Sequence, residues 1–158
     1  MQPRTRSQTA LEYLITYGWV VLVIAIALAA LYTLGVFNTS SITPNTCIMT
    51  GSFSCMSATL ASNGSMHVRI SQDTPDPINI TKVACDGNQS LIHATTLTPQ
   101  VYVASGQNAT FSITCWRNGA VFSAASGTLY NGYLLVSYTD LATGFNYTTV
   151  GTLALKVG

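Results

Sequence analysis

The sequence predicts an α+β protein: a long N-terminal hydrophobic α-helix followed by a small antiparallel β-sandwich or barrel. Three observations predict it. Tyr13 to Phe37 is almost uninterrupted apolar sequence, broken only by Thr16, Gly18, Thr33 and Gly35. After Phe37 no helical period of useful length recurs, while short stretches alternate apolar with polar residues. Turn dipeptides separate those stretches at roughly ten-residue spacing, the rhythm of a small all-β domain.

The chain divides accordingly into a basic leader (1–7), a hydrophobic helix (8–37), a linker (38–46) and an outer β domain (47–158). The 25 residues from Tyr13 to Phe37 would rise about 37 Å as a helix, against a bilayer core of about 30 Å. A helix with no polar stripe must be covered on every side, by lipid or by a bundle of like helices. Arg4 and Arg6 precede it, and cations there favour a cytoplasmic amino end with everything after Phe37 facing outward. An ordinary secretory signal fits poorly, because the run is too long and no A-x-A exit follows. Ala25, Ala27, Ala29 and Ala30 permit close helix approach. Gly18 reads either as a loosening point or as an ordinary membrane-helix glycine, and Gly35 as the helix end or a hinge. "NTSSITPNT", residues 38–46, reads as a linker or an extended lead-in.

The outer domain carries all four cysteines, Cys47, Cys55, Cys85 and Cys115. An even number beyond a membrane segment reads as two disulfides. Zinc is disfavoured, since there is no CxxC pair and neither His67 nor His93 stands at ligand spacing to a cysteine. Three pairings are open; Cys47–Cys55 as a short local loop with Cys85–Cys115 as the longer clip is the one favoured here. Six N-x-S/T triplets, at Asn38, Asn63, Asn79, Asn88, Asn108 and Asn146, all follow the apolar run. Each is cheap by chance in a chain that is about a quarter Ser and Thr, and each reads equally as a turn asparagine. Their joint placement agrees with an outward, glycosylated surface.

Strands are expected within 66–70, 78–84, 100–104, 109–116, 132–139 and 152–157. The stretch "ATFSITCW" shows the alternation well, with Phe111, Ile113 and Cys115 between Thr110, Ser112 and Thr114. Turns are expected at Asn63-Gly64, Asp73 to Pro77, Asp86-Gly87-Asn88, Ser105-Gly106, Asn118-Gly119, Asn131-Gly132 and Thr143-Gly144.

Six Lys or Arg against five Asp or Glu argue against nucleic acid, which needs clustered cations. No G-x-S-x-G, Walker A or H-E-x-x-H is present. Asp73 and Asp76 sit in a Pro-rich turn and read as turn caps rather than as calcium or acid–base groups. The two histidines read as strand-surface or satisfied core residues. No enzyme, cofactor or metal is expected. The aromatics from Tyr102 to Tyr147 read first as core or subunit packing and second as an adhesive or sugar-binding face.

One acid stands at the doorstep of the apolar run. Glu12 is the last charged residue before Arg69. A carboxylate in hydrocarbon costs several kcal/mol without a partner. At the amino-terminal edge of a helix the macrodipole would favour it by a few tenths to about 1 kcal/mol, which does not account for the residues around it.

Those residues, "RSQTALEYL", resemble the class III signal peptide of archaeal type IV pilin-like proteins: a short cationic leader, a small residue, then Q-x-[SA]-x-E-x-L opening an apolar helix. Here the pattern is Gln8, Ala10, Glu12 and Leu14. Family members usually carry Gly before the cut, and this chain has the similarly small Ser7. "TYGW", "ALYTLGVF" and, more loosely, the run from Gly132 to Val157 are also similar to such pilins. The resemblance implies cleavage by a membrane-embedded prepilin peptidase between Ser7 and Gln8. The new ammonium at Gln8 of one subunit would then pair with Glu12 of its neighbour and set axial register. It further implies a homo-oligomeric helical filament, membrane residence before assembly, and an assembly ATPase with a membrane platform protein as partners. The precursor would lie in the cytoplasmic membrane with its amino end inside, and the mature subunit in a surface filament serving adhesion. The rivals are a membrane-tethered glycan- or solute-binding module and an archaellin, the swimming-filament subunit.

Overall fold

The computed structural model describes residues 6–35 and 45–158. Arg4, Val36, Phe37, Asn38 and most of the expected linker therefore lie outside the described residues. The chain forms two compact units, divided between Ile42 and Thr43.

The first unit contains helix α1, Arg6–Thr33. Its 28 residues hold good helix formers, and no proline interrupts them. It ends where Gly35 takes a left-handed φ of 70°, with Leu34 N donating to Ala30 O and Gly35 N to Tyr32 O. A residue with a Cβ resists that conformation, so glycine sits at the stop. Glu12 is the seventh helical residue and the first turn holds no acid, so it is not at the helix edge. The dipole argument, which fades within one turn, does not apply to it in this chain.

The second unit is a nearly barrel-shaped, mostly antiparallel sheet of nine strands. They are β1 (Thr46–Met49), β2 (Phe53–Leu60), β3 (Ser65–Gln72), β4 (Ile78–Asp86), β5 (Thr95–Val103), β6 (Asn108–Arg117), β7 (Ala120–Val121), β8 (Leu129–Asp140) and β9 (Asn146–Lys156). The order is β1-β9-β8-β4-β6-β3-β2, with β5 added to β4 and β7 to β6. All pairs are antiparallel except β4 with β6, which run parallel over Cys85↔Cys115 and Asp86↔Trp116.

Alternation drives these elements. In β3, Met66, Val68 and Ile70 are buried while His67 and Arg69 are exposed; in β6, Ala109, Phe111, Ile113 and Cys115 turn inward. Leu134, Val136, Tyr138, Leu153 and Leu155 complete the barrel interior from β8 and β9. Each large aliphatic side chain so buried contributes about 1.5–3 kcal/mol.

The two halves of the sheet meet at two seams. At one, β6 leaves its ladder with β3 and crosses to β4, and Cys85–Cys115 bridges the crossing. At the other, the end strands β1 and β2 come together without a ladder. Cys47–Cys55 spans that gap, assisted by a parallel bridge between Leu60 and Val157. A cleft of about 150 Å³ remains there, lined by Asn45, Met56 and Leu155 among others.

Three strands were not expected. β1 is only four residues long and directly follows the polar linker. β2 carries a bulge between Cys55 and Ser57, which breaks the alternation that would have revealed it. β7 is only two residues long. One expected turn is also corrected: Asn131-Gly132 lies inside β8. A Cβ on Gly132 would stand 2.6 Å from Tyr130 Oη and 2.8 Å from Asp86 O. The glycine thus admits a close approach within a strand rather than a turn.

The disulfides close loops of different length, with sequence separations of 30 and 8. Chain entropy alone gives about 3.7 and about 2.6 kcal/mol. Replacing Cys85 and Cys115 by serine is therefore expected to cost about 1 kcal/mol more than replacing Cys47 and Cys55, read by denaturant unfolding of each variant.

Candidate membrane and assembly surface

Helix α1 presents its apolar side chains outward on every side. Tyr13, Ile15, Trp19, Val21, Ile26 and Tyr32 are all more than half exposed. The window Ile15–Thr33 has a mean hydropathy of 2.2 and none of it is buried. It is long and apolar enough to cross a membrane. Its two threonine hydroxyls are satisfied within the helix: Thr16 Oγ1 donates to Glu12 O at 2.7 Å, and Thr33 Oγ1 to Ala30 O at 2.8 Å. They therefore bring no unpaired donor into an apolar medium. Tyr13, next to Glu12 in sequence, and Tyr17, one turn farther on, lie ring against ring with centroids 4.4 Å apart. Glu12 itself is exposed. The described residues place a carboxylate against a basic side chain only elsewhere, where Asp86 meets the His93 imidazole. Ser7 and Gln8 fall in the first turn of α1.

The cysteines pair as Cys47–Cys55 and Cys85–Cys115. Two disulfides fit an oxidising, extracellular setting, and an N-terminal apolar helix fits membrane anchoring or secretion.

The expected glycosylation asparagines are dispersed. Asn63 sits in the β2–β3 turn, where its Oδ1 accepts from Ser65 N at 3.0 Å. Asn88 lies in the β4–β5 loop, Asn108 opens β6, and Asn146 opens β9. Asn79 is half-buried inside β4.

Sequence reasoning missed how tightly one polar knot is built. Asp86 is 3% exposed. Its carboxylate meets His93 Nδ1 at 2.8 Å and accepts Asn88 N at 3.1 Å. The His93 ring stacks on Trp116, 4.1 Å between centroids and 5° from parallel. Beneath them, buried Tyr130 donates to Trp116 O at 3.1 Å. Arg117 lies over the Tyr130 and Phe122 rings at 5.0 Å. The knot pins the β4–β5 loop over the parallel crossing. A His–Asp pair can orient an imidazole for proton transfer, yet among the described residues no hydroxyl or thiol bonds the His93 ring. No cluster of three metal-binding side chains occurs among the described residues. A signal for the knot was visible only as the close sequence spacing of Asp86 and His93.

Of the aromatics, Phe111, Phe122, Tyr130 and Tyr138 are core, while Tyr102, Phe145 and Tyr147 are exposed. Gln72, 1% exposed, ties two turns together. Its side chain hydrogen-bonds Thr74 and Asp76 O on one turn and accepts Gly106 N on the other.

No known protein family matches this sequence, and no curated protein is similar to it.

Two outcomes are expected. Ile24→Lys, at the centre of the apolar window, introduces about 2.5–3.5 kcal/mol of insertion cost; the variant should leave the membrane fraction on carbonate extraction while the parent stays. Burial, followed by the Asp86 carboxylate, pushes Tyr130 up to about 12, with Arg117 pulling the other way. The unfolded tyrosine ionises near its ordinary value of 10.0, before the folded one. The stability Tyr130 provides is thus whole below pH 10 and lost as pH rises through about 12. Alkaline unfolding followed by near-UV circular dichroism should be steeper over that range in the parent than in Tyr130→Phe.

Proposed function

We propose that this chain is the structural subunit of an archaeal type IV-like pilus, polymerising through α1 into an extracellular filament that serves surface attachment. The observation that carries the reading is a helix apolar on every side, opened by "RSQTALEYL" with a single acid, and followed by a separate disulfide-closed β unit. Such a helix demands full cover. Lipid provides it before assembly and identical helices provide it afterwards. A head-to-tail arrangement that does not close into a ring yields a helical filament.

The leader would be removed between Ser7 and Gln8, a bond within the first helical turn, where helices fray readily. Cleavage would make Glu12 the fifth residue of the mature chain. It would also bring the new ammonium within reach of a neighbour's Glu12. Such a pair is favourable in low dielectric only with good geometry, so it fixes register more than it adds strength. A prepilin peptidase, an assembly ATPase and a membrane platform protein are the partners this reading requires.

A membrane-tethered binding module is the second reading, favoured by the exposed rings of Tyr102, Phe145 and Tyr147. The location of the mature protein separates the two. A pilin shears from cells as polymer whose first residue is Gln8, as amino-terminal sequencing would read. A tether stays in the membrane fraction as monomer. Glu12→Ala is expected to abolish filaments seen by electron microscopy while leaving membrane insertion and both disulfides intact. Normal filaments from that variant would remove the register role.

A further inference from the structure

The N-x-S/T triplets of the outer domain are not equivalent once the barrel has formed. Transfer of a glycan requires the acceptor asparagine, and the hydroxyl two residues on, to be presented together on backbone that can enter a transferase. At Asn146 the backbone is so presented, while Asn146 Oδ1 accepts from Thr139 Oγ1 at 2.5 Å and Thr148 Oγ1 meets Ser137 Oγ at 2.9 Å, both on the exposed surface where water can replace them. Asn146, Tyr147 and Thr148 are all exposed. β9 pairs with β8 from Asn146 onward, but with β1 only from Gly151 onward. One backbone edge of that triplet is therefore open. Asn88 and Asn63 lie in connections between strands, and Asn108 begins β6 directly after the Ser105-Gly106 turn. All three asparagines are exposed.

Asn79 differs in its backbone, which is paired on both sides. β4 is an interior strand: Asn79 pairs with Tyr102 of β5 on one side and Thr139 of β8 on the other. Ile80, the middle residue of the triplet, is fully buried. Thr81 occupies the irregularity where both ladders shift register, and its hydroxyl donates to Ser137 O at 3.0 Å. Presenting this triplet would require β4 to leave the sheet, with Ile78, Ile80 and Val83 leaving the core.

We propose that the outer domain is an acceptor for N-linked oligosaccharide at Asn63, Asn88, Asn108 and Asn146, and that Asn79 is an acceptor only until β4 is incorporated, so that its occupancy reports folding. The donor class is an oligosaccharide carried on a polyisoprenyl phosphate or pyrophosphate. The asparagine carboxamide nitrogen bonds to the anomeric carbon, the bond from that carbon to the phosphate oxygen breaks, and the lipid phosphate leaves with the electron pair. The carboxamide proton passes to a base of the transferase. No oxidant or reductant is needed. Cys85–Cys115 fastens β4 to β6, so the closing of that bridge marks the point at which Asn79 is withdrawn.

The test is intact-glycopeptide mass spectrometry of the full-length protein from the cells that make it, alongside a Cys85→Ser/Cys115→Ser double variant. The expected result is glycan at Asn63, Asn88, Asn108 and Asn146, none at Asn79 in the parent, and appreciable occupancy of Asn79 in the double variant. Glycan at Asn79 of the parent to the level of the other four would overturn the proposal. So would bare asparagine at all five, or an Asn79 that stays bare in the double variant while the others are filled. If the double variant does not accumulate, two hydroxyl deletions decide the matter by intact mass. Thr148→Val should remove one glycan and Thr81→Val none; equal losses, or no loss from either, would refute it.

Discussion

The outer domain depends on two seams. A sheet of three strands, β2-β3-β6, must be joined to the strands around β8, and neither junction has a full ladder of backbone hydrogen bonds to hold it. At the β4–β6 crossing only two residue pairs align. Between β1 and β2 there is no ladder, and beside that gap a single bridge joins Leu60 at the end of β2 to Val157 just after β9. One disulfide fastens each seam. A domain with so few charges has little electrostatic means of holding two sheet halves together, and covalent bridges that limit the unfolded chain serve instead. Around the crossing the packing is reinforced by polar contacts. Gly132 clears room for the Tyr130 ring, Tyr130 holds the Trp116 carbonyl, and His93 lies flat on Trp116 while bonded to Asp86. The same few residues hold the loop and the junction, which accounts for a buried carboxylate in an otherwise apolar neighbourhood.

Helix α1 obeys the opposite logic. Nothing in the described residues covers it, and its side chains offer no polar stripe that water would stabilise. Its two threonine hydroxyls bond back to its own carbonyls, so neither brings an unpaired donor into hydrocarbon or against another helix. Glu12 is the exception, a full turn farther in than a helix-start acid. That position weakens the dipole explanation, and in hydrocarbon an acid there would need a partner charge. On the proposed reading the partner is supplied by a second subunit. Membrane residence and polymerisation then become successive ways of covering the same surface.

Much of this was legible in the residues. Twenty-odd apolar positions in a row can only be a buried helix, and period-two alternation in β3, β6 and β9 can only be half-buried strands, because side-chain direction repeats with the backbone. The positions of most turns followed from Asn-Gly and Pro-rich punctuation. β1 stayed hidden because four residues are too few to show a period, and β2 because a bulge interrupts it. Asn131-Gly132 misled because the same dipeptide that permits a tight turn also permits a ring to lie close against a strand.

By itself the sequence determined the division into an apolar helix and a β unit, and the position of every cysteine and N-x-S/T triplet beyond that helix, since these rest on local composition and period. Only the tertiary structure decided the strand order, the parallel crossing at Cys85 and Cys115, the burial of Asp86 and Gln72, and which asparagines remain presentable. Those depend on which strands become neighbours, and neighbours distant in the chain leave no trace in any short window of residues.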